Sequence, residues 1–154
     1  SPGNKAGGIT TLEEKSLGCI HKGGHTPVNA VYDYAKQVEA HQGLVVMDTP
    51  GNDPSSVAAM VAGGAQVIVF SSGRGTPTGN PLAPVIKITG NRITFAKMED
   101  NIDVDASPII YGGDLKKLGD DFMKLVSEVA SGRQTKAEAL GFTEMAIARV
   151  CNFV

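Results

Sequence analysis

The chain has 154 residues, 42% hydrophobic and 19% charged, with a formal net charge of -2. That length supports one compact domain with its own core, and the charge balance without a basic run excludes nucleic acid and other polyanions as expected partners. No apolar stretch approaches the ~20 residues of a membrane span, so no membrane partner is expected either. Cys19 and Cys151 lie far apart with no CxxC pattern, which fits a reduced, cytoplasmic protein better than a disulfide scaffold. The chain opens on Ser1 rather than Met, and a segment of a longer protein is expected, with a trimmed tag as the alternative.

Residues 1–11, SPGNKAGGITT, form a Gly-rich arm. Thr11 then opens T-L-E-E, a capping box in which Thr11 accepts the amide of Glu14 while Glu14 reaches back. A short helix is predicted over 12–19, ending near Gly18. HKGGH at 21–25 places His21 and His25 four apart. The two glycines between them disfavour a shared helical face, so an exposed turn is expected rather than a metal pair. Thr26-Pro27 has the form of an N-cap followed by Pro at the first helical position. With Val28, Val31, Ala35 and Val38 at helical spacing, a helix is predicted over about 27–41.

The run 43–48 reads as a buried strand ending at Asp48. Asp53 is the expected cap of a following helix with Pro54 at its start, closed by Gly63-Gly64. A second strand follows over 66–71. This β–α–β pattern predicts two parallel neighbours, with Asp48 and Ser71 side by side at one sheet edge. Beyond the loop, 84–89 and 92–97 alternate around Gly90-Asn91, the signal of a two-residue hairpin. MEDNIDVD at 98–105 is acidic enough to raise a hard-cation site, although EF-hand spacing is absent and acidic turns are common on surfaces. Asp114 caps a long helix with an apolar stripe from Leu115 to Val129. Thr135 and Glu138 form a second capping box for a final helix to about residue 150. No internal repeat occurs.

The most informative stretch is Ser71-Ser72-Gly73-Arg74-Gly75-Thr76-Pro77-Thr78-Gly79-Asn80-Pro81. It follows the apolar run Val67–Phe70 and is too long for an ordinary strand-to-helix link. Glycines let backbone N–H groups approach a ligand, and arginine offers a planar fork for a carboxylate or phosphate. Ligands of open α/β sheets bind beyond the carboxyl ends of the strands. The loop is therefore the first candidate for anion binding; a rigid surface loop with an incidental Arg is the alternative.

The words SPGNKAGG (1–8), LEEKSLG (12–18), MDTPG (47–51), VAGGAQ (61–66), GRGTPTG (73–79) and MEDNIDVD (98–105) occur here in one order. In them the chain resembles the C-terminal domain of the altronate dehydratase/galactarate dehydratase family. The resemblance implies a lyase that removes water from a hexonic or hexaric acid to give a 2-keto-3-deoxy acid. It also implies a divalent metal, with Fe2+ expected, and an N-terminal part of the same enzyme as partner. A sulfolactate sulfo-lyase branch leaves the departing group open. Such a dehydration needs a base for the proton α to the carboxylate, donors for the developing enediolate, and an acid or metal for the departing hydroxide. Arg74 with the amides of Gly73, Gly75 and Gly79 is expected to hold the substrate carboxylate, helped by Asn4 and Lys5. Asp48, Glu13 and Glu14 are the candidate carboxylates for proton transfer or metal binding. No metal ligand is assigned.

The expected architecture is a single α/β domain in three layers, a small and mainly parallel sheet with an antiparallel hairpin, flanked by helices. A non-catalytic scaffold domain and a phosphate-binding α/β domain are the alternatives; the latter lacks any GxGxxG or GxxxxGK[ST] after either strand. Homo-oligomerisation stays open.

Overall fold

The computed structural model describes residues 2–39 and 43–146. The chain divides into two compact units, Ser1–Val31 with Ala40–Val46 and Tyr32–Glu39 with Met47–Val154.

The first unit holds α1 (Pro2–Ala6), α2 (Leu12–Lys22) and most of β1 (Val28–Tyr32) and β2 (Leu44–Met47), the two strands forming a small sheet. The capping box at Thr11 and Glu14 is formed. Two expectations fail here. The Gly-rich arm contains α1, and α2 runs through Gly18 to Lys22. A lone interior glycine costs only about 1 kcal/mol relative to Ala, and a well-capped helix absorbs that. The chain breaks at the next glycines instead, where the Gly23 amide bonds back to Ile20 and His21 and Gly24 takes φ +66. HKGGH is thus a helix end and turn, as expected.

The helix predicted over 27–41 is instead β1. Val28, Val31 and Tyr32 are strand-favouring residues, and their period is too short to separate helix from strand. Ala35 has φ +57, which no helix interior tolerates. The end of that predicted helix reaches residues 40 and 41, outside the described residues.

The second unit is built on a fully parallel sheet of order β3-β4-β5, with β3 at Ile68–Ser71, β4 at Val85–Thr89 and β5 at Val104–Asp105. The register pairs Ser71 with Ile88 and Thr89 with Asp105. Beside it α3 (Asp53–Ala62) packs Val57 against Ile68 and Val85, all three buried, with Met60, Val61, Ala65 and Phe70 around them. Fully burying each valine or isoleucine contributes about 1.5–3 kcal/mol. The cap of α3 is Asn52 rather than the expected Asp53: Asn52 Oδ1 accepts from the Ser55 amide at 3.3 Å and from Ser55 Oγ at 2.9 Å.

The antiparallel hairpin is replaced by β4 followed by α4 (Arg92–Lys97). A type I′ turn needs φ > 0 at both central residues, but Asn91 has φ -100 and caps α4 through Ile93 and Thr94. The expected pairing of the first two core strands is also overturned. β2 joins β1, while β3 joins β4, so Asp48 and Ser71 do not share a sheet edge.

Further on come a 3-10 turn over Ser107–Tyr111, α5 (Leu115–Ala130) and α6 (Lys136–Ala139). Asp114 caps α5 and Thr135 with Glu138 caps α6, as expected. α6 is far shorter than predicted, and residues 147–150 lie outside the described residues. No helix among the described residues is long and apolar enough to cross a membrane.

Candidate functional site

The segment 72–84 carries the chain from β3 to its parallel neighbour β4. A parallel pair needs a crossover of a dozen or more residues, so part of the loop's length is a demand of topology. Its opening is exposed. Arg74 is exposed and makes no ion pair or side-chain hydrogen bond among the described residues. Its neighbours are fixed: Ser72 Oγ accepts the Gly75 amide at 3.0 Å, and Thr94 Oγ1 donates to the Gly73 carbonyl at 2.9 Å. Gly75 combines φ +81 with close approach to Met98 and Thr94, so packing and backbone both require glycine there.

Further along, Thr76, Gly79 and Asn80 are buried, while Pro77, Pro81 and Leu82 are exposed. Thr76 and Asn80 are 5% and 6% exposed. Thr76 Oγ1 and Thr78 Oγ1 are 2.7 Å apart, and Asn80 Oδ1 accepts the Leu82 amide at 2.9 Å. Gly79 packs so tightly that a Cβ on it would lie 2.8 Å from the Phe142 carbonyl oxygen and 3.1 Å from Ala137 Cβ.

Thr76, Pro77, Thr78 and Gly79 form one wall of an open cavity of about 440 Å³. Gly51, Asn52, Asp53 and Pro54, where α3 begins, form another, and Phe142 and Glu144 complete it. The lining offers two hydroxyls, one amide side chain and two carboxylates, a donor and acceptor set suited to the hydroxyls of a polyol chain. Asp53 and Glu144 were not expected at a site. The sequence assigns Asp53 to capping and gives Glu144 no neighbours; only folding brings them to one cavity.

Behind the Thr76–Gly79 wall stands Lys87, in the middle of β4 and 2% exposed. Its ammonium donates to the Thr78 carbonyl at 3.3 Å. Burial pushes its pKa below the usual lysine value, Asp103 opposes that shift and Lys136 adds to it. Asp103 is spent on the backbone: Oδ2 accepts the Lys87 amide at 2.7 Å and Oδ1 the Lys136 amide at 2.8 Å. Asp105 accepts the Ser107 amide at 2.8 Å. The acidic run therefore ties β4, β5 and the start of α6 together. The signal for Lys87 was a single cation inside V-I-K-I-T, which hairpin alternation explained away.

Of the sequence-derived site residues, Gly73, Arg74, Gly75 and Gly79 share the loop, and Gly79 alone among them lines the cavity. Asp48 is exposed just past β2, with no side-chain hydrogen bond among the described residues. Asn4 and Lys5 lie on α1 and Glu13 and Glu14 on the first turn of α2, in the first unit. Glu14 Oε2 accepts from the Thr10 side chain at 2.7 Å, the Thr10 amide at 2.6 Å and the Thr11 amide at 3.3 Å. These bonds, the Thr10 side chain first, hold its pKa below the usual carboxylate value. Among the described residues no three His, Cys, Asp or Glu side chains converge as a metal-ligand set.

The family model described as D-galactarate/altronate dehydratase, C-terminal, matches residues 1–152. Altronate dehydratase of Escherichia coli is 43% identical over 147 residues, covering 96% of this chain but 29% of that protein. Altronate dehydratase of Bacillus subtilis is 39% identical, again over 96% of this chain and 29% of the relative. The (2R)-sulfolactate sulfo-lyase subunit beta of Chromohalobacter salexigens is 38% identical over 96% of this chain and 38% of its own length. The chain thus spans well under half the length of these relatives, and across nearly all of its own length it belongs to the D-galactarate/altronate dehydratase C-terminal family.

Proposed function

We propose that the chain is the C-terminal part of a cytoplasmic hydro-lyase that dehydrates a hexonic or hexaric acid, altronate or galactarate, to a 2-keto-3-deoxy acid. The observation that carries this is the family match over residues 1–152. The cavity beside the Thr76–Gly79 wall supports it, because its hydroxyls, amide and carboxylates suit the several hydroxyls of such a substrate.

In this proposal Arg74 receives the substrate carboxylate bidentately. Free amides of the loop, at Gly73 and Gly79, assist; the Gly75 amide is already given to Ser72. Charge that develops on the carboxylate as the α proton leaves is stabilised by the same guanidinium. Asp48 and Glu13, whose carboxylates carry no hydrogen bond among the described residues, are the proposed proton acceptors. Glu14 is a weaker base, since three donors stabilise its charged form. Asn4 and Lys5 are proposed substrate contacts of the first unit. The divalent cation, with Fe2+ expected, finds no three-residue ligand set among the described residues, and it is proposed to be held from elsewhere in the longer enzyme.

The test is made on the full-length protein. Altronate and galactarate are supplied separately and the 2-keto acid is measured; no product from either overturns dehydration. In an active enzyme, Arg74→Lys is expected to raise KM at least about tenfold, because lysine cannot reproduce the fork. Unchanged KM and kcat remove Arg74 from the site. The similarity to a sulfolactate sulfo-lyase subunit favours one second reading: a 2-hydroxy acid loses a sulfur leaving group instead of water. Sulfite release from sulfolactate distinguishes it.

A further inference from the structure

A lysine in the central strand of a parallel sheet is an expensive choice, because a buried ammonium gives up its hydration and needs a partner in return. Lys87 is 2% exposed, between Ile86 at 0% and the half-buried Ile88. A methionine or leucine there would fill similar space without a charge. What the ammonium supplies is an attraction to the Asp103 carboxylate and one hydrogen bond among the described residues, to the Thr78 carbonyl. The nearby carboxylate, Asp103, is taken up by two backbone amides. Thr78 lines the cavity, and its own amide and hydroxyl bond to Thr76 Oγ1. The buried cation therefore braces the polar wall of the cavity from behind.

We infer that Lys87 is a positioning residue: by holding the Thr78 carbonyl it fixes the Thr76–Gly79 wall in the conformation that meets the substrate. The ligand named here rests on the sugar-acid reading above; the bracing itself does not. Lys87 is not among the residues that line this cavity, so its action passes through Thr78. A lysine kept only for the stability of β4 has a different signature. Its replacement by a hydrophobic residue of similar size lowers the thermal midpoint and leaves exchange at 76–80 unchanged.

The experiment compares wild type with Lys87→Met in the full-length protein. Amide hydrogen exchange over 76–80 and the thermal midpoint are measured without substrate, then KM and kcat with the sugar acid that wild type dehydrates. The expected result is a midpoint equal to or above wild type with exchange at 76–80 faster by about tenfold, the scale of one lost hydrogen bond to a charged group. KM is expected to rise with kcat changed less. Unchanged exchange at 76–80 in a folded Lys87→Met protein overturns the inference. Should Lys87→Met fail to fold, Lys87→Gln, which keeps polarity without the charge or the reach, is measured the same way and judged by the same exchange result. If exchange quickens but wild type dehydrates no sugar acid, the bracing stands and the substrate reading falls; if wild type is active while exchange and KM both stay put, only the bracing falls.

Discussion

Gly73 and Arg74 lie exposed at the start of the crossover between β3 and β4, whereas Thr76, Gly79 and Asn80 lie buried at its end. The same glycine-rich composition serves both halves for different reasons. The opening is pinned at its edges by Ser72 and Thr94 and leaves its arginine without a protein partner among the described residues. The end is packed on Phe142 and Ala137 and held from behind by Lys87. Composition marks the loop as special, but only burial separates the residues that shape the wall from the one free to bind.

The comparison is broken most severely at Gly79. In Gly79→Val the new side chain must enter space held by the Phe142 backbone. Neither α6 nor the strand beneath can retreat without losing packing, so a loss of about 3 kcal/mol is expected, at the upper end of overpacking costs. Urea unfolding of the variant against wild type measures it. A loss below about 1 kcal/mol would mean that the wall yields easily, and the contrast between the two halves would lose its basis.

A smaller cost is expected at Asp103, which fastens the strand that carries Lys87. Asp103→Ala strips partners from the amides of Lys87 and Lys136 at once. Each unmet buried donor costs about 1–3 kcal/mol, and water reaches part of this half-buried site. The sum is expected near 2 kcal/mol by the same urea measurement. A neutral Asp103→Ala would show that water replaces the carboxylate fully and that the acidic run is free for another task.

Those structural tasks explain how much could be seen from the sequence. The caps at Thr11, Asp114 and Thr135 were legible because an N-cap is a local event: one side chain, one amide three residues on. The strands at 44–47 and 68–71 were legible as short apolar runs. Their partners were not, since pairing β3 with β4 rather than β2 is decided by long-range packing. The same limit hid the cavity. Asp53 and Glu144 are far apart in the chain and meet only through the fold. Lys87 escaped notice for a related reason: an alternating hairpin accounts for a polar residue at 87, whereas β4 is a parallel strand buried along most of its length.

The smallest stability effect is therefore expected at the residue with the largest proposed functional one. Arg74→Ala removes an exposed side chain with no hydrogen bond and no ion pair among the described residues. A stability change within about 0.5 kcal/mol follows, as for other surface substitutions away from caps and packing. Urea unfolding of Arg74→Ala beside Gly79→Val checks this directly. A loss of 2 kcal/mol at Arg74 would make it one more brace of the loop, and the carboxylate clamp would lose its simplest support, an arginine that the fold itself does not use.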